Sequence, residues 1–436
     1  MFGTSGIRGP VGSVVTPELA MAVGRALGAE ASRVVVGRDP RATGDALARA
    51  LAAGLTAAGA DVVRLGLAAT PTVARSVAWR DADAGVSITA SHNPPPDNGL
   101  KLWQPDGQAF DAARQATIEA RLEAQTAASA PWDAWGGVED WPGARARHVE
   151  AILDAVEPVD DLTVVVDVGN GAGALTVEAL DRLGASVVAL NAQPDGHFPA
   201  RSSEPTEASL STLSRFVAAG DADLGLAHDG DADRLMAVTG DGAFVPGDVL
   251  LALFARLAAG RGDRVAAPLN TSLLVDDVLA EVGADLVRTR VGDVYVAERA
   301  AEPDVVFGGE MSGAWIWPAE TLCPDGPLAA ARLVSLVDER GPLADQVAAI
   351  GRYPTRRRAV EVDDPSAVMA RLEARVDERY DDVETLDGLR VDLGDAWFLV
   401  RASGTQPLVR VTAEARDAAR ADALFETVTG LLDDVR

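Results

Sequence analysis

Short solid runs of valine, leucine and alanine alternate with alanine-rich stretches of helical period, and one succession of them occurs three times. It runs first from Arg33-Val34-Val35-Val36 through Gly37-Arg38-Asp39 into an alanine-rich helix, then to Ala58-Gly59-Ala60-Asp61-Val62-Val63. It runs again from Thr163-Val164-Val165-Val166-Asp167 through Gly169-Asn170-Gly171 and a helix to Leu183-Gly184-Ala185-Ser186-Val187-Val188. The third copy leads from Arg264-Val265-Ala266-Ala267 through Asn270-Thr271-Ser272 and a helix to Val282-Gly283-Ala284-Asp285-Leu286-Val287. A continuous apolar run suits a strand buried on both faces, and glycine closes the helix that follows. Each copy is therefore a βαβ unit of a parallel sheet, and three copies predict three related α/β domains with mixed, mostly parallel sheets.

The tail differs. After Arg356-Arg357-Arg358 the pattern predicts an alternating strand over 359–362 and a helix over 365–379. Short strands follow near Val383 and over 390–393, 397–400 and 408–412, then a last helix, which together predict a C-terminal α+β domain. The stretch 124–144 reads as the tail of a helix plus a linker. The expected domains are 1–144, 145–246, 247–352 and 353–436.

Composition changes this picture little. The 436 residues are 48% apolar and 24% charged, which suits folded domains rather than disorder. A net charge of −27 argues against nucleic acid and anionic membrane surfaces as partners. Spread through a chain with almost no lysine, that charge suggests a halophilic adaptation. Cys323 is the only cysteine, so no internal disulfide is possible and a reducing compartment fits. The opening Met1-Phe2-Gly3-Thr4 lacks the basic and apolar regions of a secretory signal, and the longest apolar run, 249–255, is too short for a membrane span. These features predict a soluble cytoplasmic protein with no membrane partner.

Four loops hold residue types that do chemistry. Thr89-Ala90-Ser91-His92-Asn93-Pro94-Pro95-Pro96-Asp97-Asn98-Gly99-Leu100-Lys101 follows an apolar run and contains the only lysine of the chain. It reads either as a surface turn or as a loop with a titratable ammonium near a serine. Asp229-Gly230-Asp231-Ala232-Asp233-Arg234 offers three carboxylates at alternate positions, a set of hard oxygen donors for Mg²⁺ or Ca²⁺. It is not an EF-hand, because Arg234 stands where that loop needs glycine and Gly240 where it needs an acidic residue. Gly308-Gly309-Glu310-Met311-Ser312-Gly313 reads by itself as an ordinary glycine turn, or else as a loop that can approach a polyol closely. Arg401-Ala402-Ser403-Gly404-Thr405-Gln406-Pro407-Leu408-Val409-Arg410 joins guanidinium forks to hydroxyls and backbone N–H groups, the parts of a phosphate cradle.

Two other readings fail. Gly169-Asn170-Gly171-Ala172-Gly173-Ala174 matches a dinucleotide fingerprint, but Asn191 stands where the acidic residue belongs, so these glycines are expected to serve helix–strand packing. A serine hydrolase is disfavoured because no Gly-x-Ser-x-Gly surrounds Ser91, and adjacent Ser91 and His92 would not face each other.

Taken together, the opening Phe2-Gly3-Thr4-Ser5-Gly6-Ile7-Arg8-Gly9 and the four loops resemble, in order and end to end, the α-D-phosphohexomutase family. The resemblance implies four domains around a central cleft. It makes Ser91 the phosphoserine and has Asp229, Asp231 and Asp233 hold Mg²⁺ together with its phosphate. Arg8 and Lys101 become the charge-stabilising and proton-transferring groups, with His92 beside them as a catalytic or loop-shaping residue. Glu310, Ser312 and Arg234 would contact substrate, and Arg401, Ser403, Gly404, Thr405 and Arg410 would hold the phosphate that is not reacting. A hexose 1,6-bisphosphate would be intermediate and activator, and a mobile C-terminal domain the lid. Burial beside the metal is expected to lower the pKa of Lys101.

The chain departs from the family at Ala314, where many relatives have histidine, and at Gln406, where glutamate is usual. Thr289-Arg290-Val291-Gly292-Asp293 resembles the phosphoglucosamine mutase branch. A phosphoglucomutase/phosphomannomutase of relaxed specificity is the alternative, and a non-catalytic sugar-phosphate-binding protein is the alternative of another class. The partners implied are small-molecule sugar phosphates, acting on a monomer or homodimer.

Overall fold

The computed structural model describes residues 2–3, 6–124, 129–403 and 407–436. Four sheets follow one another along them. The first comprises β1 (Ile7–Pro10), β2 (Arg33–Arg38), β3 (Asp61–Leu67), β4 (Ala84–Ile88), β5 (Asp97–Trp103) and β6 (Val138–Asp140), in the order β1-β5-β4-β2-β3-β6. The second comprises β7 (Thr163–Asp167), β8 (Ser186–Leu190), β9 (Leu224–His228), β10 (Leu235–Thr239) and β11 (Phe244–Val245), in the order β11-β10-β9-β7-β8. The third, ordered β13-β12-β14-β15, uses β12 (Arg264–Pro268), β13 (Asp285–Thr289), β14 (Val305–Glu310) and β15 (Ala314–Ile316). The fourth is wholly antiparallel, β16-β19-β18-β17, from β16 (Thr355–Glu361), β17 (Leu389–Asp392), β18 (Ala396–Ala402) and β19 (Leu408–Ala415).

The three βαβ units are where the hydrophobic pattern places them, with β2, β7 and β12 parallel to β3, β8 and β13. Their helices end where glycine takes over: Gly184 (φ 111°) and Gly283 (φ 75°) adopt the left-handed cap that a Cβ would strain. Ser272 opens the helix Leu273–Val282 by accepting the Leu274 N–H.

A further likeness among the three sheets is visible only in space. In each, a third parallel strand (β4, β9, β14) turns back into an antiparallel one (β5, β10, β15). The loop at that reversal carries Ser91 in the first sheet and Asp229–Asp233 in the second. In the third, Glu310 ends β14 and Ser312 lies in the turn. Clefts in α/β sheets form at the carboxyl ends of parallel strands, so one topological position in three units supplies three walls of one site. The β18–β19 hairpin supplies the fourth.

Packing divides the molecule unevenly. The second and third units share one apolar core, with Phe254 between Phe307, Trp315 and Trp317 at ring distances of 6.1, 5.2 and 5.3 Å. The first and fourth units have cores of their own. An apolar seam of buried Leu269, Leu273, Trp397 and Leu399 joins the fourth unit to the third. No helix among the described residues is long and apolar enough to cross a membrane, and the run 249–255 lies buried in the helix Gly247–Ala258.

Several local expectations need correction. The stretch read as helix tail and linker contains β6, an exposed strand that extends the first sheet beside β3. Val-Glu-Asp shows no alternation. The strand is held by β3 and by ion pairs of Asp140 with Arg64 (2.9 Å) and Glu139 with Arg80. The strand read over 359–362 begins at Thr355, so the arginine run lies inside β16, where Arg356 and Arg358 pair with Asp422 and Asp433 on the last helix. Near Val383 the described residues form only the isolated bridge Glu384–Arg390. The glycines of 169–173 serve a loop rather than helix–strand packing: a Cβ on Gly171 would lie 2.7 Å from the Gly230 carbonyl, and one on Gly173 would strike His228.

Candidate active site

Ser91 lies just beyond β4 with φ 50°, a left-handed conformation that β-carbon residues adopt only when held. Its N–H donates to Thr89 Oγ1 (2.8 Å), and the Thr89 hydroxyl donates to Asp39 Oδ2 (2.8 Å). The resulting direction of the side chain puts Oγ 2.6 Å from Asp229 Oδ2, to which it donates, and 3.2 Å from His92 Nδ1. Adjacent Ser91 and His92 are thus within hydrogen-bond reach, which corrects the expectation that they would not face each other. Burial, followed by the cations Arg234 and Arg8, pulls His92 down to about 3, so the imidazole is neutral.

Asp229, Asp231 and Asp233 are buried and bring one carboxylate oxygen each within 4.8 Å of the others. Ala232, between Asp231 and Asp233, is left-handed (φ 58°). Asp231 is held by the Thr70 hydroxyl (2.6 Å), while Asp231 Oδ1 and Asp233 Oδ1 are buried with no hydrogen-bond partner among the described residues. Burial, then the repulsion of Asp231, pushes Asp233 up to about 7 and raises Asp229 in the same direction. Asp231 goes the other way, because Arg8 and the Thr70 hydroxyl outweigh the effect of burial. Three crowded hard oxygen donors with two unpartnered lone-pair sites fit a divalent cation, which would reverse the cost of ionising them together.

Lys101 is not in the Ser91 loop. It lies on β5, opposite Ser87, and its Nζ donates to Asp293 Oδ2 at 2.5 Å, 4.6 Å from the centroid of the Trp103 ring. Burial by itself depresses its pKa, but the attraction of Asp293 and then Asp233 outweighs it and leaves the ammonium above its usual value. The expected lowering of Lys101 is therefore corrected: the fold brings to it the carboxylate that opens a distant helix, Asp293–Ala300.

A cavity of about 530 Å³ brings together Arg8, Ser91, Lys101, Asp233, Arg234, Glu310, Arg401, Ser403 and Arg410, drawn from all four units. Arg401 and Arg410 are direct cross-strand partners on β18 and β19, and Arg401 Nη1 donates to Asp387 Oδ2 (3.1 Å). Burial raises the pKa of Glu310, opposed by the Arg234 guanidinium. Asp229 and Asp231 do not line this cavity; Asp229 meets it through Ser91, and Asp231 is bound to Thr70. Ser312 lines a neighbouring cavity of about 710 Å³ with Met311 and Arg357, while its side chain stays close enough to the Glu310 carboxylate to oppose the rise in its pKa. Gly404 and Thr405 lie outside the described residues. Ala314, the missing histidine, lines the main cavity beside Tyr295 and Arg290.

Asp293, Thr70, Thr89 and Asp39 escaped the sequence reading. Asp293 belongs to the stretch noted for its branch resemblance, and Asp39 to the loop after the first βαβ strand. Nothing in the sequence pairs either with its partner. The side chains of Thr70 and Thr89 look like ordinary turn residues until the fold brings Asp231 and Asp39 to them.

Models of the phosphoglucomutase/phosphomannomutase family match four successive segments: α/β/α domain I over residues 1–129, domain II over 146–242, domain III over 246–353 and the C-terminal domain over 358–431. A Methanopyrus kandleri protein named "Probable phosphoglucosamine mutase" is 48% identical, covering 100% of this chain and 99% of its own. A Methanosarcina acetivorans protein of the same name is 46% identical over 98% and 97%. Among solved structures, a phosphoglucomutase/phosphomannomutase family protein of Burkholderia thailandensis superposes with a TM-score of 0.90 at 28% identity, covering 100% of this chain and 98% of that one.

Proposed function

Because this chain belongs to the phosphoglucomutase/phosphomannomutase family, the α-D-phosphohexomutases, we propose that its reaction is the interconversion of glucosamine 6-phosphate and glucosamine 1-phosphate, with Ser91 as the phosphoryl carrier. The chain is an isomerase of the phosphohexomutase class; the sugar and the residue roles are our reading. The names of the relatives support glucosamine. The observation that carries the role of Ser91 is its Oγ, buried between the carboxylate cluster and the cations of the cavity.

In this reading a sugar phosphate hydroxyl attacks the phosphorus on Ser91, the P–Oγ bond breaks, and a 1,6-bisphosphate forms. The proton lost by the hydroxyl is taken up by Ser91 Oγ as the P–Oγ bond breaks and stays there, and the regenerated serine hydroxyl makes the hydrogen bond to Asp229 seen in the structure. The bisphosphate then turns over in the cleft and returns the other phosphate to Ser91. Asp229, Asp231 and Asp233 would hold Mg²⁺, which supplies charge neutralisation to the phosphate at Ser91. Lys101, kept charged by Asp293, and Arg8 would neutralise charge on the transferring phosphoryl group. Glu310 and Arg234 would bind the sugar. Arg401, Ser403 and Arg410, with Gly404 and Thr405, would hold the distal phosphate, whichever end it is on. The fourth unit is the lid in this reading, since it carries Arg401, Ser403 and Arg410 to the cavity and has a core of its own. A cytoplasmic enzyme, as monomer or homodimer, belongs to the same reading.

A coupled assay with Mg²⁺ and a hexose 1,6-bisphosphate, comparing glucosamine 6-phosphate, glucose 1-phosphate and mannose 1-phosphate, tests the proposal. Highest kcat/KM for glucosamine phosphate is the expected result. A preference for glucose or mannose overturns the substrate, and the absence of phosphate on Ser91 overturns the carrier.

A further inference from the structure

Arg41 stands in the loop after β2, fifty residues before Ser91, and is 1% exposed. All five N–H donors of its guanidinium are engaged. Nε donates to Asp39 Oδ2 (2.9 Å), Nη1 to the carbonyls of Pro94 (2.7 Å) and Asp97 (2.8 Å), and Nη2 to those of Ser91 (2.9 Å) and Asn93 (2.7 Å). Four carbonyl oxygens of one irregular turn are thus gathered on a single planar fork. A turn with three successive prolines cannot satisfy its own carbonyls from a strand ladder.

The peptide groups of Ser91 are therefore held at both ends. Arg41 holds its carbonyl, and Thr89, itself bound to Asp39, holds its N–H. The second unit covers the other face of the arginine: the Phe198 ring lies 5.1 Å from the guanidinium carbon, and a Cβ on Gly196 would come within 2.5 Å of Arg41 Cα. We propose that Arg41 is a positioning residue for phosphoryl transfer, fixing the left-handed backbone of Ser91 so that Oγ meets the carboxylate cluster of the second unit. This rests on Ser91 being the phosphoryl carrier. Lysine cannot substitute, because a single ammonium has three donors and no planar fork to reach four carbonyls.

The test uses the full-length protein with Mg²⁺ and glucose 1,6-bisphosphate as phosphoryl donor. The rate of Ser91 phosphorylation is followed by mass spectrometry beside kcat, KM and the melting curve, for the unaltered protein, Arg41→Lys and Thr89→Val. In Arg41→Lys, phosphorylation and kcat per folded molecule fall about a hundred-fold, the cost of misplacing a reacting atom by about an ångström, while KM is unchanged. Thr89→Val shows a smaller loss of the same kind. A purely structural role would lower the melting temperature and leave kcat per folded molecule intact, which overturns the proposal. If Arg41→Lys does not fold, Thr89→Val decides alone: unchanged kcat overturns the proposal, and a lower kcat at unchanged KM supports it. Failure of the unaltered protein to phosphorylate Ser91 overturns the proposed reaction and this role together. Phosphorylation there at a rate equal to that of the variants overturns this role only.

Discussion

Ser91 Oγ and Asp229 Oδ2 are 2.6 Å apart although 138 residues separate them in the chain. Each lies in the loop that follows the third parallel strand of its own sheet, and the two loops meet here side chain to side chain. Ser91→Ala removes the atom that would carry phosphate. Turnover is expected to vanish while the melting temperature stays close to that of the unaltered protein, since one hydroxyl is lost. Retained turnover at the original rate rules out the phosphoserine role.

Gly230 is what lets the loops meet. A Cβ there would sit 2.6 Å from the Ser91 carbonyl, a backbone atom that cannot swing away. Gly230→Ala should push the carboxylates off Ser91 and lower kcat about a hundred-fold. Kinetics beside circular dichroism check it; an unchanged kcat in a folded protein contradicts the arrangement described.

The carboxylate cluster predicts a link between pH, metal and stability. Asp233 goes from an ordinary 3.8 to about 7 on folding. The metal-free folded protein keeps that proton where the unfolded chain has released it, so stability contributed here falls as pH rises through that window. Mg²⁺ should therefore raise the melting temperature more at about pH 8 than at about pH 5, where protons compete for the same oxygens. Chelation should abolish activity and Mg²⁺ restore it. Equal stabilisation at both pH values argues against binding at these three aspartates.

Asp293 predicts a pH profile. It is the strongest influence keeping the buried Lys101 ammonium above its usual pKa. In Asp293→Asn burial dominates and the Lys101 pKa drops, moving the alkaline limb of kcat toward neutrality. Activity should fall first on the alkaline side of the profile, as the ammonium that neutralises the transferring phosphoryl group loses its charge. A profile identical to that of the unaltered enzyme removes Lys101 from that role.

Charge predicts a salt response. At a net −27 the surface repels itself in dilute buffer, and many of its ion pairs are exposed, such as Arg49–Asp45 at 71% and 57% side-chain exposure. Potassium chloride at molar concentration should raise the melting temperature through screening of the excess negative charge. A melting temperature that falls with salt would show that the pairs, not the repulsion, dominate.

The three βαβ units, the glycine-closed helices and the α+β tail were legible because period, run length and terminal glycine are local properties, set by how far a side chain reaches along its own backbone. The loops holding Ser91, the three aspartates, Glu310 and the two arginines were legible because each compresses its donors into a few residues. What only the tertiary structure decided are pairings that no local pattern encodes. Lys101 meets Asp293 across 192 residues, Thr70 meets Asp231 across 161, and Arg41 gathers the Ser91 turn from another loop. The first of those contacts reversed the expected shift of Lys101. They exist because three repeated sheets bring the carboxyl ends of their strands to one cavity, and burial there makes each partner's charge count. A sequence states which groups are present; their protonation and aim depend on what the fold packs against them.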